Sequence, residues 1–513
     1  MMQGEARAWL RTRSAQYALL VVALAAVAPY ALSLSFGFVY DDRPIIVEND
    51  AMYGWRALAT AWGHQYWPAS FGAGAGSQGL FRPVTQFVFA LLWNAGRGSA
   101  LPFHAWAVAL HVVATMGVCA LLMRAVPRWI AMGGALLFAV HPVHVEAVAS
   151  IVGSSEVTVA IGAIATCLWL WRAESRDEAG ARIGWGTAIA FGTVSLLALG
   201  AKESAALVPA IALVWWWGWR APDEAPHPSL IALVRHAWRV WIAAALVLAL
   251  FVVWRSIVLG PIGVGQATVA LGLRGADGSH RAATMLAAWP TVAKLLLWPS
   301  HLAMHYGPSL VPPRTTLGAS ALVSLAVFGF LCAAALELAS RGDRRPLAAL
   351  AWIAMAYLPA SNLLVPTGQL LAERTLYDAS IGAVLLIAWS ASRLAPLARA
   401  TGWRALAAAA VIAIATLGAT STATAVLRWQ TNYTLFVSGI EADPAAARPF
   451  ALLGTWYVEQ GKRERGTALI ARAHTLEPGD VDLSLLFARQ LLGLHRPGEA
   501  MVVLEDATHR DPA

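Results

Sequence analysis

FHAWAVALHVVATMGVCALLM, residues Phe103–Met123, runs for twenty-one positions without an Asp, Glu, Lys or Arg. That length matches the roughly 20 apolar residues needed to cross a bilayer core, where a backbone finds hydrogen-bond partners only within its own helix. The rest of the chain repeats the pattern. Of its 513 residues 58% are hydrophobic and 13% charged, against about 25% charged in soluble domains, and the mean hydropathy is +0.59. Outward from Phe103–Met123, further candidate spans are Tyr17–Phe36, Trp129–His141, Glu156–Trp171, Gly184–Gly200, Ser204–Trp219, Val240–Leu259, Leu317–Leu338, Leu347–Pro359, Leu376–Ser390 and Ala405–Ala425. The expectation is an all-α polytopic membrane protein with about 11 transmembrane helices. Tyr17–Phe36 exceeds a signal-peptide core of about 7–15 residues and reads as a retained first span.

The basic residues orient these spans. Lys and Arg total 37 and Asp and Glu 29, giving a net charge of +8. Lysines occur only at Lys202, Lys294 and Lys462, and the arginines punctuate apolar segments instead of clustering with aromatics, which argues against a nucleic-acid partner. With Arg7, Arg11 and Arg13 cytoplasmic, the spans place Arg124/Arg128, Arg172/Arg176/Arg182, Arg220/Arg235/Arg239, Arg341/Arg344/Arg345 and Arg393/Arg399/Arg404 on the same side. Counting Ala282–Trp298, which contains Pro290 and Lys294, as a crossing would send the last two clusters outside, so it reads as a re-entrant or interfacial helix. The C-terminal tail then lies outside. Cys119, Cys167 and Cys332 sit in apolar runs and form no disulfide or metal spacing.

Two units are expected: a membrane domain over 1–428 and an external helical tail over 429–513. In the tail, Pro444, Pro478 and Pro512 recur every 34 residues, the tetratricopeptide period. Phe450, Leu453, Gly454 and Tyr457, then Gly466, Ile470 and Ala473, supply one helix pair; Phe487, Ala488 and Leu491, then Ala500, Leu504 and Ala507, supply the next. Such pairs form protein-binding surfaces, so the tail is expected either to present a polypeptide or to cap the membrane domain.

Orientation also sorts the polar residues. The largest external loop, about 37–102, opens with FVYDD, putting Asp41 and Asp42 at the mouth of the first span. Carboxylates beside a bilayer are costly unless hydrated, bonded or used. They can act as a general base, hold a cation or a sugar, or belong to a solvated turn. His141-Pro142-Val143-His144-Val145-Glu146 lacks a zinc spacing and reads either as a proline-started helix or as lining of the same cavity, with Glu156 further along. Lys202-Glu203 forms a tight external hairpin, where the lysine can meet a phosphate or snorkel. Arg374, beside Glu373, offers a planar fork suited to phosphate. External acids and cations without a nucleotide-cradling glycine loop fit a sugar donor carried on a lipid phosphate. Two carboxylates are too few to claim a divalent cation, which stays open.

FVYDD (Phe38–Asp42), FRPV (Phe81–Val84), FHAWAVALH (Phe103–His111), HPVHVEAVASIVGSSE (His141–Glu156), AKES (Ala201–Ser204) and LPASNLLVPTGQLLAERTLY (Leu358–Tyr377), followed by the tail repeats, resemble the transmembrane and tetratricopeptide-repeat family of protein O-mannosyltransferases, of the GT-C superfamily. The resemblance implies a GT-C glycosyltransferase fold and inverting transfer of mannose from a polyprenyl-phosphate carrier to a protein Ser or Thr. It implies Asp41 and Asp42 as the catalytic and acceptor-binding pair. Lys202, Glu203, Glu373, Arg374 and Tyr377 would surround the donor phosphate, and His141, His144, Glu146, Glu156 and Arg82 would line the cavity. The lysine-poor, Arg- and Ala-rich composition suggests a bacterial inner-membrane protein. Rival expectations are a GT-C transferase acting on lipid or cell-wall glycan, and a transporter or flippase.

Overall fold

The computed structural model describes residues 12–68, 79–174, 183–219, 229–260, 269–396 and 402–510. Arg7, Arg11, Arg176, Arg182, Arg220 and Arg399 lie outside the described residues. Among those described, every regular element is helical. α1 (Arg13–Val27) continues as a 3-10 turn to Ser35; α2 (Pro83–Ala95) follows the first loop. Then come α3 (Leu101–Ala125), α4 (Arg128–Ala139), α5 (Val145–Ala149), α6 (Ser154–Glu174), α7 (Trp185–Ala201), α8 (Val208–Trp219) and α9 (Trp238–Leu259). After α10 (Gly278–Ala287) and α11 (Trp289–Leu297) the chain enters α12 (Ala319–Ser340), α13 (Arg345–Tyr357), α14 (Tyr377–Leu394) and α15 (Trp403–Arg428). The tail is α16 (Asn432–Ala442), α17 (Ala447–Glu459), α18 (Arg463–Leu476), α19 (Val481–Gly493) and α20 (Pro497–Arg510).

All eleven apolar runs are helical where expected. Among the described residues, seven helices are long and apolar enough to cross a membrane, or eight if α4 and the Pro142–Ala149 segment, bent by 46° at their break, count as one span. α7, α8 and α13 are apolar but shorter. The break in the bent pair falls at His141-Pro142, where proline removes a backbone donor and ends the ladder. Ala282–Trp298 is likewise two short helices, meeting at Ala288 just before Pro290.

Burial separates the spans into two classes. α6 and the Glu373–Leu394 span are 67% and 56% buried, whereas α9 and α15 are 11% buried. The outer helices turn Leu246, Ile257, Leu406 and Ile412 outward. Contiguous exposed apolar surface of this extent is untenable in water and normal against lipid. Inside, helices approach through small residues. A methyl group added to Gly162 would lie 2.7 Å from the Ala198 Cβ, and one on Gly382 would lie 2.9 Å from the Ala349 carbonyl oxygen. α3 packs on α4 and α6, α8 on α13, and α13 on α14, while α17 and α18 form the tightest pair of the tail.

Candidate functional site

The first loop folds back over one end of this bundle because Asp42 anchors it. Asp42 is 1% exposed, and its two carboxylate oxygens accept from the Val39 amide at 3.2 Å and the Val152 amide at 3.1 Å. Burial pushes its carboxyl up to about 7, partly offset by those amides. The turn it grips needs Gly153, since a Cβ there would collide with the Glu146 carbonyl. The expected Asp41–Asp42 pair therefore splits. Asp42 is saturated by backbone donors and turned inward, while Asp41 is half-buried and its carboxylate makes no hydrogen bond among the described residues. Asp41 lies in the field of Arg374, Arg448 and Glu146, and burial raises its carboxyl against the pull of the two arginines.

Around Asp41 the motifs interlock as ion pairs. Glu146, on α5, accepts from the Arg374 backbone amide at 3.0 Å and from its guanidinium. Arg374 also donates to Gln369 at 3.2 Å. Lys202, after α7, pairs with Glu156 at the start of α6, and burial lowers its ammonium below the ordinary value. Glu203 accepts from Arg82 at 3.0 Å and from the Phe81 amide at 2.9 Å, and the Arg82 guanidinium sits 4.7 Å from the Tyr66 ring centre. Each buried cation has an acid beside it, as charges in low dielectric require. The three pairs also feel one another, Lys202 sensing both Arg82 and Arg374. Asp41, Arg82, Glu146, Glu156, Lys202, Glu203 and Arg374 thus form one electrostatic cluster.

Other expected residues go elsewhere. Glu373 turns from the cluster's cations to accept from the Ala303 amide at 2.7 Å and the Tyr306 hydroxyl at 2.8 Å. It lines a cavity of about 20 Å³ with Glu146, Leu302 and Arg428, room for about one water. Tyr377 is fully buried; its hydroxyl bonds the His111 Nδ1 at 2.7 Å, and the opposite ring nitrogen of His111 faces the Ala139 carbonyl at 3.0 Å. His144 bonds Ser380 at 2.8 Å and packs on the Tyr377 ring at 4.4 Å. Tyr377 and His144 therefore belong to a sealed core under the cluster and do not reach a donor phosphate placed beside Arg374. His141 caps the next turn, its Nδ1 accepting from the Val143 amide at 3.3 Å. Among the described residues no three His, Cys, Asp or Glu side chains are grouped to hold a metal ion.

Two residues at the site escaped sequence reasoning. Asn432 and Arg448, from the tail, both engage Tyr40. One signal was available for Arg448: it stands in the first turn of α17, where the helix dipole disfavours a cation. Asn362 was also missed. It holds a left-handed φ of 56°, which asparagine tolerates, and ties the loop before Arg374 through bonds to Thr367, Gln369 and Leu370.

No family model matches the chain. It is similar to the Protein O-mannosyl-transferase TMTC3 of Homo sapiens, 26% identical over 92% of this chain and 53% of that protein. The Drosophila melanogaster Protein O-mannosyl-transferase Tmtc3 is 24% identical over 94% of this chain and 57% of that protein. The chain thus spans about half the length of the curated relatives it matches. The resemblance carried by the motifs is borne out by these relatives. Among solved structures, an Archaeoglobus fulgidus oligosaccharyltransferase tethered with an acceptor peptide aligns at a TM-score of 0.48 and 16% identity, over 83% of this chain and 56% of that one.

Proposed function

We propose that the chain is an integral membrane glycosyltransferase of the GT-C type, moving a hexose, mannose by its relatives' printed names, from a polyprenyl-phosphate carrier to a protein Ser or Thr hydroxyl on the external side. The observation that carries this is the state of Asp41: a carboxylate without a hydrogen bond, beside the three ion pairs Arg82–Glu203, Lys202–Glu156 and Arg374–Glu146. In the mechanism, the Asp41 carboxylate takes the proton of the acceptor hydroxyl as its oxygen attacks the anomeric carbon. The bond from that carbon to the carrier phosphate breaks on the opposite face, inverting the centre. The electron pair leaves on the phosphate oxygen, where Arg374, Lys202 and Arg82 offset the charge. A carboxyl raised by burial is a stronger base than one in water, which suits it to a hydroxyl proton.

In this assignment Glu146, Glu156 and Glu203 hold the three cations in place, and Asp42 anchors the loop that carries Asp41. Residues 1–428 form the membrane domain, with the N-terminus cytoplasmic in a bacterial inner membrane. Residues 429–513 form an external tetratricopeptide-like tail that presents the acceptor polypeptide or caps the membrane domain. The test is transfer from lipid-phosphate sugars by purified protein in nanodiscs, with Ser/Thr peptides and membrane glycans supplied together. Labelled peptide from wild type and none from Asp41→Asn, with equal folding, is expected. Label in lipid or glycan alone overturns the protein acceptor, and an active Asp41→Asn overturns the base.

A further inference from the structure

Tyr40, the neighbour of Asp41, holds a left-handed backbone with φ of 55°. That conformation is strained for an L-residue and persists only where the surroundings over-determine it. The surroundings here come from the tail. The Tyr40 amide donates to the Asn432 side-chain oxygen at 2.8 Å. The Tyr40 hydroxyl accepts from Arg448 twice, at 3.1 Å from Nε and 2.8 Å from Nη2. Phe436 stands edge-on to its ring, 6.1 Å between centres. Asn432 and Phe436 lie on α16 and Arg448 on α17, so the first two tail helices grip one residue of the first loop.

The grip does not float free of the membrane domain. Arg428, at the end of α15, donates to the Leu302 carbonyl at 3.0 Å, Ser309 bonds Asp443, and Met304 fills the space above Gly439. The 302–309 loop therefore fixes α16 beside the charged cluster, and Glu373 braces that same loop.

We propose that Arg448 and Asn432 are positioning residues of the transfer site: the tail's first helix pair locks Tyr40, and through it aims the Asp41 carboxylate, so the helical tail is part of the active site as well as any surface it offers a polypeptide. This rests on the reading of Asp41 as base. The groups facing Asp41 are Arg374 from the turn before α14, Glu146 from α5, Arg448 from α17, and its loop neighbours Tyr40, Asp42 and Tyr66.

The experiment uses full-length protein in nanodiscs with the variants Arg448→Gln, Arg448→Lys and Asn432→Ala, read by pH profiles of transfer and by hydrogen exchange of residues 36–45. Arg448→Gln is expected to lower kcat about tenfold or more with donor KM little changed. It should also move the acid limb to higher pH, because a cation that favours ionised Asp41 is gone, and speed exchange at 36–45. Arg448→Lys restores the acid limb and only part of the rate. Asn432→Ala lowers the rate and speeds exchange without moving the limb. Wild-type rate and exchange in both Arg448→Gln and Asn432→Ala overturn the proposal, as does a rise in donor KM at unchanged kcat, which makes Arg448 a binding residue. If wild type transfers no sugar, or Asp41→Asn stays active, the function reading fails, while exchange at 36–45 still decides whether the tail holds Tyr40.

Discussion

The two ends of the helix bundle use arginine in opposite ways. Arg374 precedes α14 and Arg393 lies near its far end, separated by nineteen residues, or roughly 28 Å at about 1.5 Å per residue. At the Arg393 end the guanidiniums are dispersed. Arg124 stacks on Trp171 at 4.1 Å and Arg344 on Trp217 at 4.9 Å, while Arg345 and Arg393 share Asp343. Cation–π contacts of this kind, with apolar stems along the helices, are what arginines at the end of an apolar bundle can make without a dedicated acid. At the Arg374 end, cations and acids from five distant motifs interlock, and one acid is left over. What differs is the partner: rings and one shared acid at the first end, a separate carboxylate for each of Arg82, Lys202 and Arg374 at the second. That difference is why the proposed site is placed at the Arg374 end.

Breaking the interlocked end should have the largest effect. Glu146→Ala leaves Arg374 mostly buried without its acid, and loss of one partner of a buried pair costs about 3–5 kcal/mol. Thermal unfolding in nanodiscs should show a large drop, and an unchanged melt would mean that the pair is not structural. Tyr377→Phe removes the hydroxyl that satisfies His111 in the sealed core below, a loss of about 1–3 kcal/mol. It should destabilise while leaving the turnover of the folded fraction near wild type; a lost turnover would return Tyr377 to the site. At the dispersed end, Arg341→Ala breaks an exposed pair with Glu337 worth about 0.5 kcal/mol or less. A melt shift comparable to that of Glu146→Ala would erase the contrast between the ends.

The two ends also carry opposite pH signatures. Burial raises Asp42 from 3.8 to about 7, so the folded protein binds its proton more tightly, and this group's contribution to stability falls as pH rises from about 4 through about 7. Asp343, though burial opposes it, is held at about 2 by Arg345 and Trp389. Its stabilisation is present above about 3.8 and lost as pH falls toward about 2. Melting curves across pH for Asp42→Asn and Asp343→Asn against wild type should differ in the upper window for the first and the lower window for the second. Matching profiles would remove the distinction.

Much of this was legible in the sequence, for identifiable reasons. Each apolar run is helical because hydrocarbon tolerates little else. The motifs that supply the cluster, around Asp41, Arg82, Glu146, Glu156, Lys202 and Arg374, stood out because ionisable residues beside a membrane are expensive unless used. Direction was not legible. Asp41 and Asp42 are adjacent in a turn, so one faces the cluster and the other the backbone of Val39 and Val152. Tyr377 follows Arg374 by three residues yet opens the helix and points into the bundle. Glu373 and Arg374 part company for a similar reason. Arg448 and Asn432 reach Tyr40 across about 400 positions of sequence, a distance at which only folded packing brings groups together.

The proposed mechanism divides labour in one place, with the proton chemistry assigned to Asp41 and the phosphate to the cations. Equilibrium binding of a polyprenyl-phosphate hexose, measured beside single-turnover transfer for wild type, Asp41→Asn and Lys202→Gln, tests it most directly. Asp41→Asn is expected to bind the donor about as tightly as wild type and transfer none, while Lys202→Gln binds about tenfold more weakly. Transfer by Asp41→Asn, or wild-type donor affinity in Lys202→Gln, would contradict it.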